Sequence, residues 1–568
     1  MLDWKKRVDV EATGSAPIQI LNGLMKARGI DPFDISFLSS SLADLSDPMT
    51  LGEGASVAAD LMIACKGKRA AVIGDYDADG IISSTLVKLT IEKLGGHCDV
   101  FLPSRWKHGY GLNEKTVKAF IARFSQNMPE TLFIVDCGSS SEDYIIQLRK
   151  AGIKKIAVID HHIINPEQES KSIEAHVNWR LCGTACDLCA AGEVFQVARL
   201  ALMRAKLHWA WTLAFAAIAT VGDSVAMTKD NRIIVKNGAD YSKIQMSGSP
   251  GLCALALNRC QGGVSQKNLA FYVVPRINAI GRISAPDIAL KFLIEKDPIN
   301  ASSLLDTIET ANTNRKAIQE DIFKRGIAKI GGQDVEPPFV FLHEPDWNIG
   351  ICGISCSQMV EKYGVPAMMF GTYEGKIKGS GRSVPGVNLK SILDQCGSDV
   401  FERYGGHEMA CGATVRDGMF EEAKKRFGEI LSKVLRGKPS VVVPVYDLDI
   451  KPESVTIELG NTLFEYLYPY CPDSNPEPVF RISQAKVTKI KLNKYKVYSK
   501  LEIEIEKDGK PVTLAMSKFL KIGVNDGIAG IKNGEIADFY FSFPQKTFYS
   551  SEFFKDQYIL ELVDIGRF

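Results

Sequence analysis

The chain predicts an α/β fold class: a mostly parallel, doubly wound domain, a helical connector, a second α/β domain and a C-terminal β-barrel. Three observations predict it. Short β-branched runs alternate with amphipathic stretches of helix length from Arg69 to His162, which is the signature of βαβ units. A second such alternation starts at PPFVFLHEP and ends near Lys438. From Val441 the hydrophobic period drops to two, as in LEIEIEKDGKPVTLAMS, the period of half-buried strands. The 568 residues allow about three to five domains. We divide the chain into residues 1–240, 241–334, 335–438 and 439–568.

Taken in order, residues 1–68 read as mostly helical, with a Ser-rich interruption near SSSLADLSD. AAVIG is a strand, IISSTLVKLTIEKLG a helix, CDVFLPS a strand and NEKTVKAFIARF a helix. TLFIVDCG, DYIIQLRKAG and KIAVIDHH continue as strand, helix and strand. Residues 190–330 read as helical, ending in a long connecting helix through LDTIETANTNRKAIQEDIFKRGIAKI. In the tail, Asp508-Gly509 signals a hairpin turn.

Hydrophobic residues at 45% and charged residues at 24% exclude wholesale disorder and a fibrous repeat. A formal net charge of +1 excludes a global electrostatic pull toward nucleic acid or membrane, so any such affinity comes from a local patch. Thirteen cysteines, an odd number in a long chain, fit a reducing compartment, and a cytoplasmic location is expected. MLDWKKRVDVEATG lacks the apolar core of a signal peptide. The longest apolar stretch, Trp209 to Val221, is 13 residues, short of the ~20 that span a bilayer, so no membrane is expected as partner.

Acidic residues recur at the C-terminal ends of the strands, the edge where open α/β sheets bind ligands. Asp75, Asp77 and Asp79 crowd one hexapeptide, DYDADG, and repel one another unless a cation neutralises them. Asp136 ends IVDCG, Asp160-His161-His162 ends AVIDHH, and Asp223 ends the apolar helix TLAFAAIATVGD. Alone, each has an ordinary reading as a turn or cap. Together they give hard oxygen and imidazole donors in numbers sufficient for two Mn²⁺ or Mg²⁺ ions, which act jointly on phosphoryl groups.

These motifs resemble those of the DHH phosphoesterase superfamily. PRINAIGR (275–282), GSGRS (379–383) and GGHEMACG (405–412) resemble its RecJ-type branch of single-stranded-DNA-specific exonucleases. GDSVAMTKDNRIIVKNG (222–238), WNIGICGISCSQMVEKYGVP (347–366) and NPEPVF (475–480) extend the likeness to residues 15–500. The resemblance implies a DHHA1-type second α/β domain and an OB-like barrel. It implies Asp77, Asp79, Asp136, His161 and Asp223 as metal ligands, with Asp136 as the bridge and Asp75 as a further acidic position. Asp160 is expected to orient His161, and His162 to assist the water or protonate the leaving oxygen.

Gly-rich loops admit a phosphate to backbone N–H groups, and an arginine grips it in two places. Ser380, Arg382 and His407 match phosphate-holding positions of the family, with Arg276 and Arg282 as further candidates. Arg105 resembles a nucleic-acid contact, and Tyr110 reads either as a residue that stacks on a base or as a core residue. In the tail, residues 481–500 hold seven Lys/Arg and no acid, including Lys491, Lys494 and Lys496, interleaved with Tyr495 and Tyr498. They read as a strand-binding face, or as a face that pairs with the acidic LEIEIEKD across a hairpin. Cys182, Cys186 and Cys189 invite zinc, but no fourth ligand is spaced for it, and they read as small fillers. The first ~15 residues and CPDSNPEPVF depart from the family pattern.

The implied activity is metal-dependent 5′→3′ hydrolysis of single-stranded DNA to 5′-mononucleotides, in DNA repair or recombination, by a monomer that works with a single-strand-binding protein and a helicase. Two rivals stand beside it. One is a phosphodiesterase for short oligoribonucleotides or cyclic dinucleotides. The other is a non-catalytic strand-binding scaffold, against which the complete acid set argues.

Overall fold

The computed structural model describes residues 4–567, except 13, 35–37, 39, 184–186, 261–262, 333–336, 436–443, 472–473, 495–497, 507–513, 522–530 and 544–558. The chain divides into two compact units. One comprises Met1–Pro275, Ala289–Ser302 and Val443–Phe568, the other Arg276–Ile288 and Ser303–Val442.

In the first unit, a two-residue strand β1 (Lys5–Lys6) precedes a five-stranded sheet. Its strands are β2 (Arg69–Ile73), β3 (His97–Phe101), β4 (Thr131–Val135), β5 (Lys155–Ile159) and β6 (Ala175–Val177). They pair in the order β3-β2-β4-β5-β6, all parallel. The middle strands are buried on both faces, so they read as continuous apolar runs. Helices Glu114–Phe124 and Glu142–Lys150 cover one face through Val117, Phe120, Ile145 and Leu148. Helix Ala78–Lys93 packs against helix Ala190–Arg204 and is buried nearly all round. This placement explains its lack of an amphipathic stripe. The strand order reverses between β2 and β4, and ligands of open α/β sheets bind at that switch point.

In the second unit, β7 (Val340–His343), β8 (Ala367–Tyr373), β9 (Lys376–Arg382), β10 (Phe401–Gly406) and β11 (Ala410–Val415) form a mixed sheet. Its order is β10-β11-β9-β8-β7, and only β7–β8 is parallel. The expected long helix runs from Pro298 to Ile330. Cys352 and Cys356 are buried in helix Ile349–Tyr363, as core residues.

The C-terminal part of the first unit begins with β12 (Val445–Tyr446) and β13 (Leu448–Asp449). The barrel strands are β14 (Phe480–Lys494), β15 (Tyr498–Glu506), β16 (Leu514–Lys521), β17 (Ile536–Ser542) and β18 (Ile559–Arg567). They close in the cycle β14-β15-β16-β18-β17-β14, in which only β16–β18 is parallel. Five strands closed in this way form the OB-like barrel expected of the tail. Asp508-Gly509 lies outside the described residues.

The N-terminal arm, blank in the sequence, clasps this barrel. β1 pairs with β12, and Trp4 stacks on Tyr540 at 4.3 Å while its indole N–H donates to Asp564 at 2.8 Å. Arg7 and Arg28 both bind the carboxylate of Asp447. From the sheet domain, buried Arg232 donates to the carbonyls of Tyr466 and Leu467, the last turn of helix Ile457–Leu467. A cation there meets the negative end of the helix dipole.

Candidate metal centre and phosphate cradle

The acidic cluster assembles at the switch point. Asp75 follows β2, Asp136 follows β4 and Asp160 follows β5. Asp77 caps helix Ala78–Lys93, accepting from the N–H groups of Asp79 and Gly80 at 3.1 and 3.2 Å. This turn is tight: a Cβ on Gly80 would stand 2.5 Å from the Asp75 nitrogen. Asp79 accepts from the N–H groups of Ala190 and Ala191, the N-terminus of the next helix. Asp136 holds a left-handed backbone, φ 58°, rare for a residue with a side chain. Such strain at a strand end marks a position fixed for use. Asp223 sits at the C-terminal end of helix Leu213–Gly222, where the dipole disfavours an acid.

Three donor sets have ligand atoms within 4.8 Å of one another: Asp75, Asp77 and Asp136; Asp79, His161 and Asp223; and Asp136, His161 and His162. Asp136 and His161 are shared between sets. His161 Nε2 lies 3.5 Å from Asp136 and 3.8 Å from Asp79, and its Nδ1 lies 3.8 Å from Asp223. Asp75 Oδ1 is buried and accepts no hydrogen bond. These oxygens and one imidazole fit a hard divalent ion.

The electrostatics say the same. Burial, then the neighbouring carboxylates, raises Asp75 and Asp136 well above the usual carboxylate range. Burial also raises Asp79. Asp223 is pushed up to about 8 by burial, then by Asp79 and Asp77. Arg105, His161 and His162 pull against this crowding without outweighing it, so ionising the whole set calls for a further cation.

Asp160 corrects one expectation. Its Oδ1 takes the ring Nδ1–H of His162 at 2.7 Å, and its Oδ2 accepts from Ser139 N–H at 2.9 Å, so it orients His162 and not His161. In extended chain, residues two apart share a face, and this pairs 160 with 162. Burial lowers the His162 pKa, but the hydrogen bond and charge of Asp160 outweigh it and raise the ring to about 9. Burial works the other way on Asp160, and His162 holds it below the usual range. His161, by contrast, is lowered by burial. A neutral imidazole is the form that ligates.

Tyr110 is 56% exposed, and its hydroxyl lies 2.7 Å from His162 Nε2. Arg105 stands over the ring of Tyr76 at 5.4 Å, and Tyr76 meets Tyr110 edge to face. The structure therefore brings Arg105, Tyr76 and Tyr110 beside the acids. Tyr76, inside DYDADG, has no role assigned from the sequence.

In the second unit the two glycine motifs meet across three strands. Ser380 faces Gly412 and Gly412 faces Gly405. A Cβ on Gly353, in the first turns of helix Ile349–Tyr363, would sit 3.3 Å from Ser380 and 3.5 Å from Arg382 Nη2. Arg282 donates to Gly350 O at 3.0 Å. Arg282, Ser380 and Arg382 thus gather at one helix N-terminus, a setting that suits an anion. His407 is exposed in the turn after β10. Arg276 stands apart: 4% exposed, it is bound at two atoms by Glu309, at 2.9 and 3.0 Å.

On the barrel, the backbone register places Lys489 opposite Glu504 and Lys491 opposite Glu502. Lys494 faces Ser499, and Lys496 lies outside the described residues. Cys189 is buried and Cys182 partly so, Cys186 is outside the described residues, and no cysteine enters a donor set among those described. Among the described residues no helix is long and apolar enough to cross a membrane.

Comparison with known proteins agrees with this geometry. Residues 69–222 match the DHH family N-terminal domain, and residues 336–436 match the DHHA1 domain. The single-stranded-DNA-specific exonuclease RecJ of Bacillus subtilis is 29% identical over 77% of this chain and 56% of its own length. The protein of that name from Dickeya dadantii is 28% identical over 80% of this chain and 82% of its own. A crystal structure of Thermus thermophilus RecJ with Mn²⁺ superposes with a TM-score of 0.75, at 22% identity, over 97% of this chain and 76% of that one.

Proposed function

We propose that this chain, which carries a DHH domain and a DHHA1 domain, is a metal-dependent exonuclease that hydrolyses single-stranded DNA from its 5′ end to 5′-mononucleotides. One observation carries the reading: three donor sets, linked through Asp136 and His161, lie at the switch point of a parallel sheet. The similarity to proteins named single-stranded-DNA-specific exonuclease RecJ supports the substrate.

Asp75, Asp77 and Asp136 would hold one Mn²⁺ or Mg²⁺, and Asp79, His161 and Asp223 a second, with Asp136 between them. Two such ions supply a field that makes water nucleophilic at neutral pH and steadies charge on the phosphodiester. His162, kept protonated by Asp160, donates its Nε2 proton to the leaving 3′-oxygen. Tyr110, already on that nitrogen, must yield it as the strand enters, and its ring is placed to stack on the terminal base. Arg105 binds backbone phosphate beside it.

Arg282, Ser380, Arg382 and His407 hold phosphates in the second unit, and Arg276 joins them only if Glu309 releases it. Lys491, Lys494 and Lys496 of the tail belong to the strand-binding face in this reading. The four-part division at residues 240, 334 and 438 belongs to this reading, as do a cytoplasmic location, a monomer, and a single-strand-binding protein and a helicase as partners.

The test uses three substrates with Mn²⁺ and with chelator: a long 5′-phosphorylated single strand, a dinucleotide and a cyclic dinucleotide. Mn²⁺-dependent release of mononucleotides from the long strand is expected. Preference for either dinucleotide moves the protein to the first rival. Chelator-insensitive binding with no product from any substrate moves it to the scaffold.

A further inference from the structure

The sequence Asn178-Trp179-Arg180 carries no part of the site described so far, yet it touches both histidines. Asn178, fully buried, donates to His162 O at 2.9 Å and caps the short turn Trp179–Cys182 by accepting from Arg180 N–H. Arg180 Nε donates to His161 O at 3.0 Å. Its guanidinium lies over the Trp179 ring at 4.2 Å.

A guanidinium fixed on one face by an indole and on one edge by a carbonyl has its plane and direction set. Neither contact neutralises its charge. Arg180 is exposed, and among the described residues no carboxylate lies within 4.0 Å of it. Bonding through Nε leaves the Nη1/Nη2 edge for a ligand, and that edge matches two oxygens of a phosphate. Surface arginines ordinarily lose rotamer freedom when they bind, and this one has lost it already. Its anchor is the carbonyl of His161, whose ring belongs to two of the three donor sets.

We propose that Arg180 is a preorganised contact for a phosphate of the nucleic-acid strand, at the rim of the acidic cluster. It rests on the reading of this chain as a single-strand nuclease. The bidentate edge takes a backbone phosphate that follows or precedes the scissile one, and draws the strand onto the histidine side of the site. Asn178 is a positioning residue that keeps His162 in register with it.

Fluorescence anisotropy of a 5′-phosphorylated oligodeoxythymidine, in chelator and across a KCl series, compares the full chain with Arg180→Gln and Arg180→Lys. One phosphate contact on a single strand contributes about 0.7 to the slope of log affinity against log salt. The Gln variant is expected to lose that increment and to bind about tenfold more weakly at low salt. The Lys variant should keep the slope and lose part of the affinity. An unchanged slope in Arg180→Gln overturns the proposal, as does a fall in kcat with binding untouched. Cleavage by the unaltered chain is scored separately: strand binding without Mn²⁺-dependent cleavage sinks the nuclease reading, while the slope still decides Arg180.

Discussion

Asp447 and Asp136 are equally hidden, 1% and 3% exposed, and have opposite surroundings. Asp447 is met by Arg7 at 2.9 Å, by two nitrogens of Arg28 at 3.1 Å and by Val479 N–H at 3.0 Å. Asp136 faces Asp75, Asp77 and Asp79, all of which push its pKa up. A buried carboxylate needs a counter-charge. In the clasp the protein supplies it. At the switch point it supplies only His161 and His162 against several carboxylates, and the difference separates a structural ion pair from a seat for a divalent cation.

The comparison predicts opposite outcomes for the two acids. Asp136→Ala should lower kcat on the strand by on the order of 10³-fold or more, since both donor sets that contain it fail. Its thermal midpoint in chelator should not fall, because a repulsion is removed. Equal losses of stability and activity would erase the distinction. Arg28→Ala should do the reverse. By leaving Asp447 under-paired it should cost about 3–5 kcal/mol in denaturant unfolding while Mn²⁺ uptake per folded chain is unchanged.

Asp160→Asn sharpens the local account. His162 loses the charge that holds its proton, so kcat should fall by about 10²-fold, with strand affinity little changed. Full activity in this variant would remove the Asp160–His162 pair from catalysis.

The smallest effect concerns pH. Asp223 titrates near 8 in the folded chain against an ordinary 3.8, so the folded form holds a proton that the unfolded form has released. Its stabilisation is complete below the unfolded value and is lost as pH rises through about 8. In chelator, the midpoint should decline from pH 5.5 to 8.5. Mn²⁺ competes with those protons, so its stabilising increment should grow over the same range. Parallel curves with and without Mn²⁺ would break the link.

Much of this was legible in the sequence, because it is written locally. The apolar runs that end at Asp75, Asp136 and Asp160 give strands, and strand ends converge by topology alone. What stayed hidden depends on chain distance or on backbone direction. Arg28 reaches Asp447 across 419 residues, and Arg276 finds Glu309 across 33, with no spacing signal for either. The exchange of His161 for His162 as partner of Asp160 turns on which side chain faces inward, a period-of-two effect beyond the end of β5. The cross-strand register of β14 with β15 is likewise set by the fold and carries no local spacing signal.

The central claim is that Asp75, Asp79, Asp136 and Asp223 are kept together for divalent ions. Titration calorimetry of the metal-free protein with Mn²⁺, in two buffers of different ionisation enthalpy, tests it directly. Two ions per chain with proton release, reduced in Asp136→Ala, is the expected result. Uptake that is absent, or that is the same in Asp136→Ala without proton release, would contradict the account.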